Sequence, residues 1–394
     1  MNRAEAAWQN RPRVLMTGPM APAVGGMATV IEQLLAGPLA RHCTVVRRPA
    51  NPLQCTGAPR RRLWRSARRH LGQIIDLTRD LRRNAIDVVH IHTCSGFTFY
   101  RNLVDAAVAR CCGVPVALHI HGAQFDQFCA RAGRLGRWFI RRGLTAADCV
   151  VVLSDRWATV LRPYAPEAGF VVVPNGVVVP ESAGDQHRAI PSGRCRFVFL
   201  AAVCRRKGID VLLEAARQLR DRDTDFRLTI AGPEEQPGEA RQLADEIDRR
   251  RLRGVVDYVG TVTGPDRDAL LQDCDCLVLP SRAEGLPLTL LEAGARGRAV
   301  VAAAVGAVPE VITGPELGLL VSPADSFELS QAMETLARDQ SAREALGKAL
   351  RRRIIARYSL EQQSSLLAKL YSELCSGRDE RRAARIALTG GGGT

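Results

Sequence analysis

Short runs of Val, Ile, Leu and Ala alternate along the chain with longer stretches whose apolar positions recur at helical spacing. This alternation is the pattern of parallel α/β sheets, in which a crossover helix follows each strand. In the first half, Arg13–Gly18, Thr44–Arg47, Val88–His92, Val114–His119, Cys149–Leu153 and Phe170–Val173 are predicted strands. Asn175-Gly176 ends this block, and the polar segment PESAGDQHRAIPSG (Pro180–Gly193) reads as a linker. The pattern restarts with Arg196–Ala202, Phe226–Ala231, Val256–Val259, Cys276–Leu279, Ala299–Ala303 and Gly318–Val321 as strands. Helices over Ser326–Ala337, Ser341–Ala356 and Leu360–Cys375 close the chain. The predicted organisation is α/β: a Rossmann-like domain over 12–178, a linker over 179–194 and a second Rossmann-like domain over 195–358. A helix over 359–375 follows. The tail 376–394 is too polar and Gly-rich to pack and is expected to be disordered. Two such domains place the carboxyl ends of their strands along a cleft, where nucleotides bind.

Composition narrows the class. With 46% hydrophobic and 24% charged residues, the chain is an ordinary globular sequence, long enough for two cores. No uninterrupted apolar run of about 18 residues suggests a transmembrane helix. Residues 1–13 carry no apolar signal-peptide run, so the expectation is a soluble cytoplasmic protein. The 12 cysteines form no spacing framework and read as small core residues in a reducing compartment. Lys and Arg number 55 against 41 Asp and Glu, a net charge of +14, and only Lys207, Lys348 and Lys369 are lysines. Arginine pairs in bidentate fashion with phosphate and carboxylate, which leaves phosphate-bearing ligands, nucleic acid and anionic membranes as partner classes.

Several constellations could carry chemistry. The run CLVLPSRAEGLP reads as a buried strand opening into a loop with Glu284, and Pro287 suits the first turn of the following helix. That helix start is a site for an anion, and Glu292 lies just over one turn into it. Two acids at this spacing could hold different parts of one ligand; a helix start or a solvated surface carries acids too. Arg205-Arg206-Lys207-Gly208 is a basic loop after the first strand of the second half. Gly25-Gly26 lies between a strand and a helix, where side chains would block approach of a ligand to the backbone. His90-x-His92 and His119-x-His121 each project to one face of a strand. Four imidazoles could hold a metal, but no carboxylate or cysteine accompanies them, and no metal is expected. Asp273-Cys-Asp275 is formally a metal-diphosphate D-x-D, yet it reads as a strand start.

The segment Pro280–Gly294, PSRAEGLP followed by LTLLEAG, resembles the E-x7-E motif of retaining nucleotide-sugar glycosyltransferases of GT-B fold, the family 4 and glycogen-synthase-like group. The resemblance covers about residues 13 to 375. It implies that Glu284 contacts the donor sugar, that Glu292 binds the nucleotide ribose, and that Gly285, Leu286 and Pro287 wrap the sugar and phosphates. It implies further that Lys207, with Arg205 or Arg206, neutralises the donor diphosphate as the sugar leaves. Relatives usually have Gly-Arg where Ala201 and Ala202 stand here, so Arg205 or Arg206 is left to take over the arginine's task. Gly25 and Gly26 match the paired-glycine loop near the diphosphate. His121, in His121-Gly122, matches the histidine at the anomeric centre, and His92 takes an acceptor-side position. Gly306-Ala-Val-Pro-Glu310 matches a G-x-x-P-E element whose Glu310 orients the loop. The last helix, as in relatives, crosses back onto the first domain.

The implied activity is transfer of a sugar, with retention, from a nucleoside-diphosphate sugar to a hydroxyl of a lipid-linked or saccharide acceptor, with no cofactor. HIHTCSGFTFYRN and HIHGAQFDQF look most like glycosyltransferases of bacterial exopolysaccharide or cell-envelope polysaccharide assembly. A nucleotide-sugar epimerase shares the architecture, but the E-x7-E loop and Lys207 speak against it. A non-enzymatic polyanion-binding protein is the remaining alternative; no nucleic-acid-binding motif is present. Residues 60–83 form a basic amphipathic helix, and Arg131, Arg134, Arg137, Arg141 and Arg142 form a second basic run over 131–142 with Trp138 and Phe139. Both suit peripheral contact with the anionic inner face of the plasma membrane, and equally solvated helix faces.

Overall fold

The structure, a computed structural model, describes residues 11–21, 23, 25–50, 72–83, 85–181 and 194–390, with side chains up to Arg378. The chain divides into two units, Met1–Asn175 with Leu360–Thr394, and Gly176–Ser359.

In the first unit the elements are β1 (Arg13–Gly18), α1 (Gly26–Ala36), β2 (Thr44–Pro49), α2 (72–83), β3 (Val88–Thr93), α3 (Phe97–Cys111), β4 (Val116–Ile120), α4 (Phe125–Arg131), α5 (Arg134–Ala146), β5 (Cys149–Val152), α6 (Asp155–Leu161) and β6 (Phe170–Val172). In the second they are β7 (Cys195–Leu200), a 3₁₀ turn (Arg205–Lys207), α7 (Ile209–Asp221), β8 (Phe226–Ala231), α8 (Glu239–Arg249), β9 (Val256–Tyr258), α9 (Gly264–Asp273), β10 (Cys276–Leu279), α10 (Leu288–Ala295), β11 (Ala299–Ala303), α11 (Val308–Val311), β12 (Leu319–Val321), α12 (Ser326–Arg338) and α13 (Gln340–Arg357). Helix α14 (Leu360–Gly390) returns to the first unit.

Both sheets are parallel throughout. Such sheets are covered on both faces, and β3, β4, β5, β10 and β11 accordingly have every residue buried. The first sheet runs β2-β1-β3-β4-β5-β6 and the second β12-β11-β10-β7-β8-β9. The second is the doubly wound Rossmann order, with its reversal between β7 and β10; the first reverses between β1 and β3. Phe197, Phe199, Phe226 and Leu228 lie at the centre of the second core.

The two Rossmann-like sheets match the sequence expectation, with strand ends moved by at most a few residues. Of the linker 179–194, residues 182–193 lie outside the described residues. Helix α14 runs on to Gly390, past Cys375, so the tail read as disordered from 376 is helical as far as the described residues go. Its Arg- and Ala-rich sequence favours a helix once one has begun. No helix among the described residues is long and apolar enough to cross a membrane.

Helix α14 packs Leu367, Leu370, Tyr371 and Leu374 into the first unit's core. The Tyr371 hydroxyl, fully buried, lies 2.6 Å from His90 Nδ1 on β3. Tyr371→Phe would leave that nitrogen unpaired, and urea titration of the variant should show a loss of about 1–3 kcal/mol. An unchanged midpoint would mean that the bond contributes nothing.

Candidate active site

Polar residues in the first unit gather where its sheet reverses. Gly25 and Gly26 follow β1 and open α1, and a Cβ at either would meet no protein atom within 4 Å. His90 and His92 stand on the neighbouring β3, where His92 is in register with His119 on β4. The rings form a layer, with centroids 4.3 Å apart for His90–His92 and 4.0 Å for His119–His121. His90 Nε2 is 3.1 Å from His119 Nδ1, and His92 Nδ1 is 2.8 Å from His121 Nε2. The His121 backbone N–H donates to the Thr93 carbonyl at 2.9 Å, which fixes the chain as it leaves β4.

Burial keeps these rings neutral. It pushes His90 down to about 3, helped by nearby His121, and His121 down to about 3 on its own. His92 and His119 are held well below the ordinary value by burial and by the neighbouring imidazoles. Each ring then offers one donor and one acceptor, and Tyr371, His90 and His119 form a chain whose last nitrogen, His119 Nε2, is buried without a hydrogen-bond partner among the described residues, as is His92 Nε2. His90, His92 and His119 have ligand atoms within 4.8 Å of one another; both His90 nitrogens, His119 Nδ1 and His92 Nδ1 are engaged with the other rings or with Tyr371, and His92 Nε2 and His119 Nε2 are not.

The second unit builds a tighter constellation at its own reversal. Lys207 comes from the turn after β7 and Glu284 from the loop after β10, so adjacent strands deliver the two ends. Lys207 Nζ donates to Glu284 Oε1 at 2.6 Å, and the Ser281 hydroxyl donates to the same oxygen at 2.7 Å. The Glu284 side chain is 6% exposed and that of Lys207 is 17% exposed, so both charges are largely withdrawn from water and each depends on the other.

Two glycines permit this approach. A Cβ on Gly208 would sit 2.0 Å from the Pro280 carbonyl oxygen, and one on Gly306 would sit 1.9 Å from that of Glu284. Both residues have positive φ, so a side chain at either is excluded twice. Beside Gly306, the Ala307 N–H donates to the Gly285 carbonyl at 2.9 Å. The G-x-x-P-E element thus supports the Glu284 loop through Gly306 and Ala307, while the Glu310 carbonyl accepts from Arg353 at 2.8 Å and from the Tyr358 hydroxyl at 3.1 Å.

The basic turn is held by Arg282, a residue that sequence reasoning placed in the motif without a role. Its backbone N–H donates to the Arg206 carbonyl at 2.9 Å, and its guanidinium spans the Arg205 carbonyl (2.6 Å) and Asp210 (2.7 and 2.8 Å). Arg205 and Arg206 part company here. Arg206 is ion-paired with Glu235 at 2.8 Å, whereas the Arg205 side chain is 86% exposed and only 3.9 Å from Asp210. Gly285, Leu286 and Pro287 are buried, and Pro287 is the residue immediately before α10 rather than within its first turn. Glu292, also buried, is engaged at both oxygens by Arg267 of α9, a partner with no local signature in the sequence. Asp275 of the D-x-D accepts from the Arg196 backbone at 2.8 Å and from its guanidinium at 3.1 and 3.0 Å, which makes it a strand-start residue as expected.

Two family models match consecutive parts of the chain, "Glycosyltransferase Family 4" over residues 24–179 and "Glycosyl transferases group 1" over 183–353. A lipopolysaccharide core biosynthesis mannosyltransferase, LpcC of Rhizobium leguminosarum, is 30% identical over 60% of this chain and 67% of its own length. The chain belongs to this glycosyltransferase family. The fold of the glycosyltransferase is GT-B, as in sucrose-phosphate synthase from Thermosynechococcus elongatus, at TM-score 0.74 and 21% identity over 93% of this chain and all of that one. HepE of Anabaena, solved in complex with UDP and glucose, matches at TM-score 0.70 and 17% identity over 92% of this chain and 100% of its own.

The imidazole layer gives this glycosyltransferase an acid-labile first unit. Unfolded histidines take up protons below about 6.5, whereas folded His90 and His121 do so only near 3. The unfolded state therefore binds more protons between those values, and stability falls as pH falls through that window. By pH 5 the loss should be on the order of 2 kcal/mol for each such imidazole. Urea midpoints measured between pH 7.5 and 5 test this, and a flat profile would contradict it.

Proposed function

We propose that this glycosyltransferase moves a sugar, with retention at the anomeric carbon, from a nucleoside-diphosphate sugar to a hydroxyl of a lipid-linked or saccharide acceptor in bacterial exopolysaccharide or cell-envelope polysaccharide synthesis. The observation that carries this reading is the buried Lys207–Glu284 pair at the reversal of the second sheet. Lys207 is the cation that accepts the leaving diphosphate, and Glu284 exchanges its ammonium partner for hydroxyls of the donor sugar. Gly285, Leu286 and Pro287 line the sugar and phosphates, Gly25 and Gly26 approach the diphosphate with backbone amides, and Glu292 takes the ribose. Arg206, half-buried and beside Lys207 in the turn, is better placed than outward-pointing Arg205 to supply the arginine that relatives carry at Ala202. His121 acts on the sugar side, with His92 bonded behind it. The departing diphosphate takes the acceptor's proton, so the chemistry needs positioned charge rather than a protein nucleophile or a metal. The UDP and glucose of HepE and the mannosyltransferase activity named for LpcC support the donor class and the pathway.

The arginine-rich face supports a peripheral position on the cytoplasmic side of the membrane. On α5, Leu135, Trp138 and Phe139 are 70%, 54% and 45% exposed, and Arg131, Arg134, Arg137, Arg141 and Arg142 are exposed around them. Of the other basic segment, residues 60–71 lie outside the described residues, and 72–83 is helical.

Thermal unfolding with UDP, GDP or ADP at about a hundred times Kd should add about 2.7 kcal/mol for the donor's own nucleotide. Lys207→Ala and Glu284→Ala should fold, yet lose turnover by about a hundredfold or more; near wild-type rates in either would remove that residue from the mechanism. Sedimentation with vesicles of phosphatidylglycerol should carry the protein down, and Trp138→Ser with Phe139→Ser should release it. Equal pelleting by phosphatidylcholine vesicles, or no effect of the double variant, would sink the membrane reading.

A further inference from the structure

The fully buried Tyr371 hydroxyl has one hydrogen-bond partner among the described residues, His90 Nδ1. A buried O–H needs an acceptor, so the hydroxyl donates, and neutral His90 carries its single proton on Nε2. That proton goes to His119 Nδ1 at 3.1 Å, which leaves the His119 proton on Nε2. The other buried nitrogen left unpaired is Nε2 of His92, whose ring is in register with that of His119, centroids 5.1 Å apart. A proton there would add a second orphaned N–H to the same dry layer, whereas a lone pair gives the His119 proton a complementary neighbour. His92 then holds its proton on Nδ1 and donates to His121 Nε2 at 2.8 Å, and His121 holds its own on Nδ1. That last nitrogen has no partner among the described residues, and His121, unlike the other three, is only half-buried.

We propose that Tyr371 is a positioning residue: from the far end of the layer it sets the proton order of all four imidazoles, so that His121 meets its ligand as an Nδ1–H donor. This rests on the reading of His121 as a residue on the sugar side. The reversed order would leave the Tyr371 O–H without an acceptor in the core and would turn a bare Nδ1 towards the ligand. An Nδ1–H serves an oxygen lone pair of the sugar, which a bare Nδ1 would repel. Burial holds the His121 ring neutral, so it cannot gain the same donor by taking up a proton near pH 7. Each bond in the favoured order also polarises the next one. A phenol on α14 thereby decides what a residue at the end of β4 offers, without touching the ligand itself.

The test reads the tautomers directly, by ¹⁵N NMR of the full chain labelled at histidine, near pH 7.5. In the wild type, His90 and His119 should carry the proton on Nε2, and His92 and His121 on Nδ1. Tyr371→Phe removes the group that fixes the order, and His121 should then show a mixture of both tautomers. His119→Leu, which cuts the layer midway, should do the same and serves if the first variant does not fold. Turnover is followed as consumption of UDP-glucose, GDP-mannose or ADP-glucose, whichever the wild type uses. At saturating donor it should fall by about twofold to tenfold in Tyr371→Phe. Leu374→Ala weakens the same helix packing without altering the proton order, and should keep both the tautomer and the rate. A wild-type His121 protonated on Nε2, or an unmixed Nδ1–H tautomer in both Tyr371→Phe and His119→Leu, would overturn the proposal. An equal loss of rate in Leu374→Ala would reduce Tyr371 to a packing role and overturn it too. If the tautomers shift as stated but His121→Phe keeps the wild-type rate, the proton order stands and the sugar-side reading of His121 falls. If no nucleotide sugar is consumed, the donor reading fails, while the NMR still decides the proton order.

Discussion

The second unit depends on the place where its parallel sheet changes direction. The crossover from β7 leads to β8 on one side, and the crossover from β10 leads to β11 on the other. Because such crossovers keep one hand, the two connections leave their strands in opposite directions and leave the carboxyl ends of β7 and β10 side by side. Lys207 and Glu284, far apart in sequence, become neighbours for that reason. Withdrawing two charges from water is costly, and the pair persists because its members satisfy one another and Ser281 adds a further hydrogen bond. Arg282 then fastens the turn that bears Lys207, and the absence of side chains at Gly208 and Gly306 lets the loops close on each other.

The first unit meets the same topology with different chemistry. Its central strands would ordinarily be continuous aliphatic runs, yet β3 and β4 devote three buried positions to histidine. Buried polar groups survive by partnership, and here the partners are the other imidazoles and one phenol from α14, with His92 Nε2 and His119 Nε2 left unpaired among the described residues. The layer orients the His121 ring through His92, so a residue at the strand end is positioned by a chain of contacts reaching back into the core.

Much of this was legible in the sequence because parallel strands are written locally. Arg13–Gly18, Phe226–Ala231, Cys276–Leu279 and Ala299–Ala303 were read to the residue, since each is a short apolar run between polar breaks. The loop with Glu284 and the turn with Lys207 were legible as motifs. What escaped is pairing across the fold. Arg267 is one arginine among dozens, and only packing of α9 on α10 selects it for Glu292. Tyr371 is an apolar position of a helix until the structure sets its hydroxyl against His90. The end of α14 escaped for another reason, as a run of charges with alanines is compatible with both helix and coil until a preceding helix nucleates it.

Helix α14 also sets the order in which the protein can be finished. The first unit contains Tyr371 and the leucines around it, but these residues are separated from the rest of that unit by the whole of the second. On a ribosome, at about 5–20 residues per second, the first sheet must wait on the order of ten seconds or more for its last helix. Throughout that time the second unit is emerging as one continuous stretch. The half of the molecule synthesised first is therefore completed last, and the nascent first sheet, with its histidine layer uncovered, is the stage at which a chaperone has most to protect.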